Sequence, residues 1–113
     1  MHEISIALNI IDLIKEEAEK NSAASIQEFE VEVGSISGVE IEALKFALNI
    51  AVKDTLLENA IQIITPVAAA ASCLECDKEF SLSWFYEPCP FCSAMNIQII
   101  KGKELKIKSI TID

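Results

Sequence analysis

Leu105-Lys-Ile-Lys-Ser-Ile-Thr-Ile112 changes phase halfway along. Leu105 and Ile107 fall on one face of an extended chain, while Ile110 and Ile112 fall on the other, because successive strand side chains alternate sides. A one-residue slip reverses which side is buried. The stretch therefore predicts one strand with a β-bulge at Lys108-Ser109, which returns all four residues to a common face. Such a strand needs a sheet to join, and the chain supplies two partners. Gln27 to Val33 alternates Phe29, Val31 and Val33 with Glu28, Glu30 and Glu32, predicting a half-buried strand with an acidic, solvated outer face. Ala60 to Thr65 reads as another, stopped by Pro66.

Helical spacing fills the remainder of the N-terminal part. Ile4, Ala7, Leu8, Ile11, Ile14 and Ala18 recur on one side of a turn, with Asp12, Glu16 and Glu19 elsewhere, predicting a helix over residues 4–20. Gly34 and Gly38 bracket a turn, and Ser37-Gly-Val-Glu40 fits a helix capping box. A second helix follows with Ile41, Leu44, Leu48, Ala51, Val52 and Leu56 as its apolar stripe. The expected class is α/β, two helices packed on one face of a three-stranded sheet.

Between the second and third strands lie all four cysteines of the chain, as Cys73-Leu-Glu-Cys76 and Cys89-Pro-Phe-Cys92. Each two-residue gap lets a tight turn aim both sulfurs inward, and two such turns surround one tetrahedral ion. A closed S4 set suits structural zinc, or iron in a rubredoxin-like protein. Pro90 supports the second turn by pre-setting φ. Phe80, Leu82 and Trp84 alternate, as do Ile97 and Ile99, so each turn is expected to lead into a short strand. The alanine run 68–71 reads as a featureless hinge into this module, and Gly102 marks the exit. The expected organisation is residues 1–66 plus 103–113 as the α/β domain and 67–102 as an inserted zinc-ribbon-like module. The aromatic run Trp84-Phe85-Tyr86 beside the second turn reads either as a partner-binding knob or, the expectation taken here, as packing over the metal site's apolar side.

Composition narrows the function classes. Net charge is −9, and every basic residue is lysine. Nucleic-acid recognition uses basic patches for phosphate and bidentate arginine for guanine; this chain has neither, so protein or cation partners are expected. The longest charge-free stretch, Asn59 to Leu74, is broken by Gln62, Thr65, Pro66 and Ser72, so no membrane span is expected. Glu3 stands where a signal peptide would want a basic residue. The expected compartment is the cytoplasm, where thiols stay reduced and bind metal. No Ser/His/Asp set, phosphate-binding glycine loop or open metal position supports an enzyme.

His2 is the only histidine. The α-amine of Met1, the backbone nitrogens of His2 and Glu3, and the imidazole can converge on one ion as a planar, mostly nitrogen set, which suits Ni(II) or Cu(II) better than zinc. Glu3 can add a carboxylate oxygen, and it is equally an ordinary acid of a helix's first turn.

Met1-His2-Glu3 opening an amphipathic helix, Val31-Glu-Val-Gly34 followed by Val39-Glu40, and CxxC…CPxC before a terminal Ile-Thr-Ile-Asp strand resemble the HypA family over the whole chain. These are hydrogenase nickel incorporation proteins. The resemblance implies a nickel metallochaperone with Ni(II) as transient cargo, held by Met1, His2 and Glu3 with Glu40 nearby. It implies structural Zn(II) on Cys73, Cys76, Cys89 and Cys92. It also implies work with the GTPase HypB and the precursor large subunit of [NiFe]-hydrogenase, and in some organisms service to urease. Asp54-Thr55 and Glu58-Asn59-Ala60 depart from the Gly-Thr and Glu-Gly-Ala of many relatives. The alternatives from other classes are a zinc-ribbon interaction scaffold and a rubredoxin-like electron carrier.

Overall fold

The computed structural model describes residues 3–113. Met1 and His2, and with them two of the proposed nickel ligands, lie outside the described residues. Helix α1 runs Glu3–Lys20, strand β1 Ile26–Gly34, helix α2 Ile41–Ala51 and strand β2 Ile61–Val67. Strands β3 Ala70–Cys73, β4 Glu79–Ser81 and β5 Ile97–Lys101 form the cysteine module, and β6 Leu105–Ile112 closes the chain.

The first sheet has the order β2-β1-β6, with β1 parallel to β2 and antiparallel to β6. A parallel pair needs a crossover, and α2 supplies it. Both helices press their apolar stripes onto this sheet: Ala7, Ile10, Ile11, Ile14 and Ala18 from α1, and Leu44, Ala47 and Leu48 from α2, meet Phe29, Val31 and Val33. Helix α1 ends where Asn21 Nδ2 donates to the Glu17 carbonyl (2.8 Å) and Ser22 turns to φ 52°.

The phase change in β6 resolves as expected. Glu30 pairs with Ser109 and Val31 with Ile107, leaving Lys108 as the extra residue. Leu105, Ile107, Ile110 and Ile112 all pack on the first core, while Lys108 and Ser109 are exposed. A second irregularity leaves Gln27 of β1 unpaired between Ile26–Ile112 and Glu28–Thr111.

Several expectations need correction. β2 continues through Pro66 to Val67, with Pro66 opposite Val33; β2 is an outer strand of the sheet, where a missing N–H is tolerated. The alanine run is no hinge, because Ala70 and Ala71 belong to β3, the central strand of the second sheet β4-β3-β5. Helix α2 stops at Ala51, and the turns that follow bury Leu57 and leave Leu56 exposed. The glutamate row is only partly solvated. Glu30 lies 3.6 Å from Lys108 Nζ and accepts from Thr65 Oγ1 (2.7 Å), and Glu32 lies 3.5 Å from Lys106 Nζ. The bulge that re-phases β6 thus also presents its lysines to the acids of β1.

Two separate clusters of buried residues result, in a body of 54 × 25 × 17 Å. The second holds Ala69, Ala71, Cys73, Phe80, Leu82 and Cys89, together with Ile36 from the loop after β1. Ile36 is fixed there by main-chain contacts: its N–H donates to the Gly102 carbonyl (2.9 Å), and Ser35 N–H donates to the Val67 carbonyl (2.9 Å). The joint is tight. A Cβ on Gly34 would stand 1.9 Å from the Gly102 oxygen, and one on Gly102 (φ +113°) would stand 2.3 Å from the Ala69 Cβ.

Candidate metal centre

The two cysteine turns are built alike. Cys73 N–H donates to the Lys78 carbonyl (2.9 Å) and accepts at its own carbonyl from Asp77 N–H (2.9 Å); Cys89 does the same with Ala94 and Ser93 (2.8 Å each). Asp77 and Ser93 both carry the left-handed backbone, φ 60° and 62°, that closes such a turn. The duplication legible as two CxxC pairs is therefore a duplication of backbone geometry. The first cysteine of each pair anchors the turn in the second core, Cys73 and Cys89 being buried, while Cys76 is half-buried and Cys92 exposed.

All four sulfurs lie within 4.8 Å of one another, with Cys73–Cys92 at 3.5 Å and Cys76–Cys89 at 3.7 Å. A tetrahedral ion with metal–sulfur bonds near 2.3 Å demands sulfur–sulfur edges of about 3.8 Å, so the set can hold one such ion. Backbone N–H groups already point at the sulfurs: Glu75 and Cys76 toward Cys73, and Phe91 toward Cys89, each at 3.4 Å. Such donors stabilise thiolate and orient it, the usual support of a ligand set.

The thiols titrate apart. Burial pushes Cys89 upward, but N–H groups of Phe91 and Cys92 and the neighbouring Cys76 and Cys92 thiols outweigh it, bringing it down to about 7. At Cys92 the Ala94 N–H lowers the value, yet Cys73, burial, Cys89 and Cys76 together raise it to about 12. Cys76 is lowered by Lys78 N–H and raised on balance by burial, Cys73 and Cys89. Crowding by the neighbouring sulfurs is what the raised pair, Cys76 and Cys92, has in common. Four sulfurs at contact cannot all be anionic until a cation sits among them.

The second candidate site lies where the helices begin. Glu3 opens α1, and its carboxylate reaches the backbone N–H of Glu40 at 3.5 Å across 37 residues of sequence. Glu40 is itself the N-cap of α2, accepting from Ala43 N–H at 3.0 Å. The capping box expected from Ser37 does not form, because Ser37 Oγ accepts from Val39 N–H (3.2 Å) in a local turn instead. The chain thus brings Glu3 and Glu40 together; Met1 and His2 stand outside the description.

One feature escaped the sequence reading, and one expectation needs correction. Ile36, an isolated apolar residue between glycines, carries no periodicity to reveal its burial. Trp84, Phe85 and Tyr86 do not cover the metal site: they are exposed, and only Phe80 and Leu82 of the expected alternation are buried.

With this geometry in view, comparison with known proteins is direct. The profile described as "Hydrogenase/urease nickel incorporation, metallochaperone, hypA" matches residues 1–112. The hydrogenase maturation factor HypA of Parabacteroides distasonis is 42% identical over 112 residues, 99% of this chain and 97% of that protein. That of Prosthecochloris aestuarii is 39% identical over 113 residues, covering both chains completely. The solution structure of the Ni metallochaperone HypA from Helicobacter pylori superposes with a TM-score of 0.71 at 27% identity, over 99% of this chain and 97% of that one.

Proposed function

The chain belongs to the HypA family of nickel metallochaperones, and from that premise we propose that it binds Ni(II) at its N-terminus and delivers it during [NiFe]-hydrogenase maturation. A family of metallochaperones and maturation factors is not a family of enzymes. The proposed ligands are the Met1 amine, the His2 imidazole and backbone nitrogens through Glu3, with Glu40 alongside. The structural ion proposed for Cys73, Cys76, Cys89 and Cys92 is Zn(II). The partners proposed are the GTPase HypB and the hydrogenase large-subunit precursor, in the cytoplasm, with residues 1–66 plus 103–113 as the nickel domain and 67–102 as the zinc module.

The observation that carries the nickel reading is the meeting of Glu3 with the N-cap of α2. Two helix N-termini converge there, and each presents partial positive charge that opposes a cation. Two carboxylates offset it. The Glu3 amide belongs to the first helical turn, where no preceding carbonyl claims the N–H. Its deprotonation toward a metal would break no helical hydrogen bond. A site built this way is expected to hold nickel selectively but release it readily. Amide nitrogens coordinate only when deprotonated and imidazole only when neutral, so affinity is expected to fall as pH falls. Cu(II) would compete on intrinsic affinity, which makes partner recognition part of the selectivity.

The test is native mass spectrometry on protein with an authentic, untagged N-terminus, beside His2→Ala. One retained zinc plus one added nickel, the nickel lost in the variant, is the expected result. Nickel uptake indifferent to His2 would overturn the delivery reading. Iron in place of zinc, with colour, would favour the rubredoxin-like alternative.

A further inference from the structure

Within the cysteine module six large apolar side chains stand in water. Leu74, Trp84, Phe85, Tyr86, Phe91 and Met95 are between 44% and 72% exposed. Monomeric soluble proteins seldom concentrate apolar surface in this way without a partner for it. Leu74 and Phe91 occupy the interior positions of the two turns, so the backbone that wraps the sulfurs also aims these side chains outward. Leu74 N–H is held by the Asn96 carbonyl (2.9 Å), beside Met95.

The aromatic run is braced, not loose. One Glu87 carboxylate oxygen accepts from both Ser83 N–H (2.6 Å) and Trp84 N–H (3.2 Å). Trp84 meets Tyr86 edge-on with ring centroids 5.6 Å apart, and Phe85 lies 6.4 Å from Tyr86. The rings support one another without being covered. Rigid aromatic side chains already held in place lose little entropy on binding, which is the usual condition of an interface anchor.

Charge identifies the occupant. Between Cys73 and Asn96 the chain carries Glu75, Asp77, Glu79 and Glu87 against the single basic Lys78. The Lys78 ammonium sits 4.7 Å from the centroid of Phe91, so this aromatic surface already receives one cation on a ring face. A second copy would bring another −9 chain against this one, and an anionic bilayer would be repelled likewise. We propose that the exposed aromatic surface of the cysteine module is the docking surface for a basic amphipathic helix of a partner protein, its aliphatic face on the aromatic side chains and its lysines or arginines on the module's acids and ring faces. The proposal does not depend on the nickel reading.

Trp84 is the only tryptophan, so its emission reports on this surface alone. The probe is a synthetic leucine–lysine amphipathic helix, titrated into the full-length metal-loaded protein beside an equivalent leucine–glutamate helix and phosphatidylglycerol vesicles. The lysine peptide is expected to shift Trp84 emission to the blue and to bind at least about tenfold more tightly than the glutamate peptide. Phe91→Ser and Tyr86→Ser are each expected to weaken it by about tenfold, the loss of one anchor. Phe46→Ala, an exposed ring on α2, should leave it unchanged, with metal retention checked by native mass spectrometry. Binding that ignores Phe91→Ser and Tyr86→Ser, or falls equally with Phe46→Ala, would reduce the effect to attraction between a basic peptide and an acidic chain and overturn the proposal. A Trp84 shift produced by the vesicles and not the peptide would overturn it in favour of a lipid surface. A shift that depends on protein concentration alone would do so in favour of self-association.

Discussion

Glu40 caps α2 with its carboxylate and donates its own N–H to Glu3, so one side chain serves helix stability and, on the proposed function, nickel. Two substitutions separate the roles. Glu40→Ala is expected to cost about 1 kcal/mol in denaturant unfolding, the value of a lost N-cap. Glu40→Ser retains a capping oxygen and should recover most of that loss. A nickel affinity lowered equally in both would assign the carboxylate to the metal, whereas recovery in Glu40→Ser would leave Glu40 a cap and nothing more. At Gly34 the demand is steric. With a Cβ position 1.9 Å from the Gly102 oxygen, Gly34→Ala forces main chain apart and is expected to destabilise by about 3 kcal/mol, the upper range of overpacking. Thermal unfolding beside the parent measures it. The cysteines were legible because their spacing is itself the geometry of the site. Glu40 was visible in the sequence but misplaced by one role: Ser37 is a good N-cap residue type, and only the folded chain shows its hydroxyl engaged by Val39 N–H. In the sequence Gly34 marks only a turn, whereas its steric constraint comes from Gly102, distant along the chain.

Strand β6 shows what periodicity can and cannot deliver. Its phase change required a bulge, and the bulge is at Lys108. Deleting Lys108 is expected to leave Leu105, Ile107, Ile110 and Ile112 in unbroken alternation on the core face, removing the bulge without reversing the strand. The cost is therefore expected to stay well below the roughly 3 kcal/mol that exposing two partly buried isoleucines would bring, read as a urea midpoint close to the parent's with an unchanged slope; a loss of that full size would show that the strand had slipped instead. The turn just before β6 carries a pH-dependent contribution. Glu104 is held below its ordinary 4.5 by its own backbone N–H and that of Gly102, with burial opposing and Lys106 and Lys101 assisting. A depressed folded value means stability present above the unfolded value and lost as pH falls through the folded one. Glu104→Gln should therefore melt below the parent at neutral pH, with the difference closing at pH below 4.5. The helices and the strands of the first sheet followed from their apolar spacing, which reports directly on one buried face. β3 did not, because four consecutive alanines have no alternation to read; Ala71 is fully buried only because β4 and β5 flank it. Pro66 misled for a related reason. Proline stops a strand only where its N–H is needed, and the outer position of β2 was not visible until the strand order was known.

At the scale of the molecule, the two cores differ in what sustains them. The first is built from fourteen buried residues on two helices, the turns after α2 and a sheet, the second from seven, two of them cysteines of the candidate metal centre. Removing the ion with a thiol-specific reagent and chelator is expected to release the second core while the first persists. Hydrogen exchange should show lost protection over residues 70–101 and retained protection in β1 and both helices, since metal binding free energy is folding free energy for a small site of this kind. Uniform loss across both would mean that Ile36 and the Gly34–Gly102 joint make the chain one cooperative unit. In either case the first sheet is left with its two outer strands uncovered by further strands, β2 on one side and β6 on the other. Pro66 withholds a donor from the β2 edge, and β6 presents Lys106, Lys108 and a break in its ladder. An incoming strand from a neighbouring molecule would meet a missing hydrogen bond on one flank and a buckled strand bearing lysine side chains on the other. The same bulge that seats two isoleucines thus also works against fibril growth.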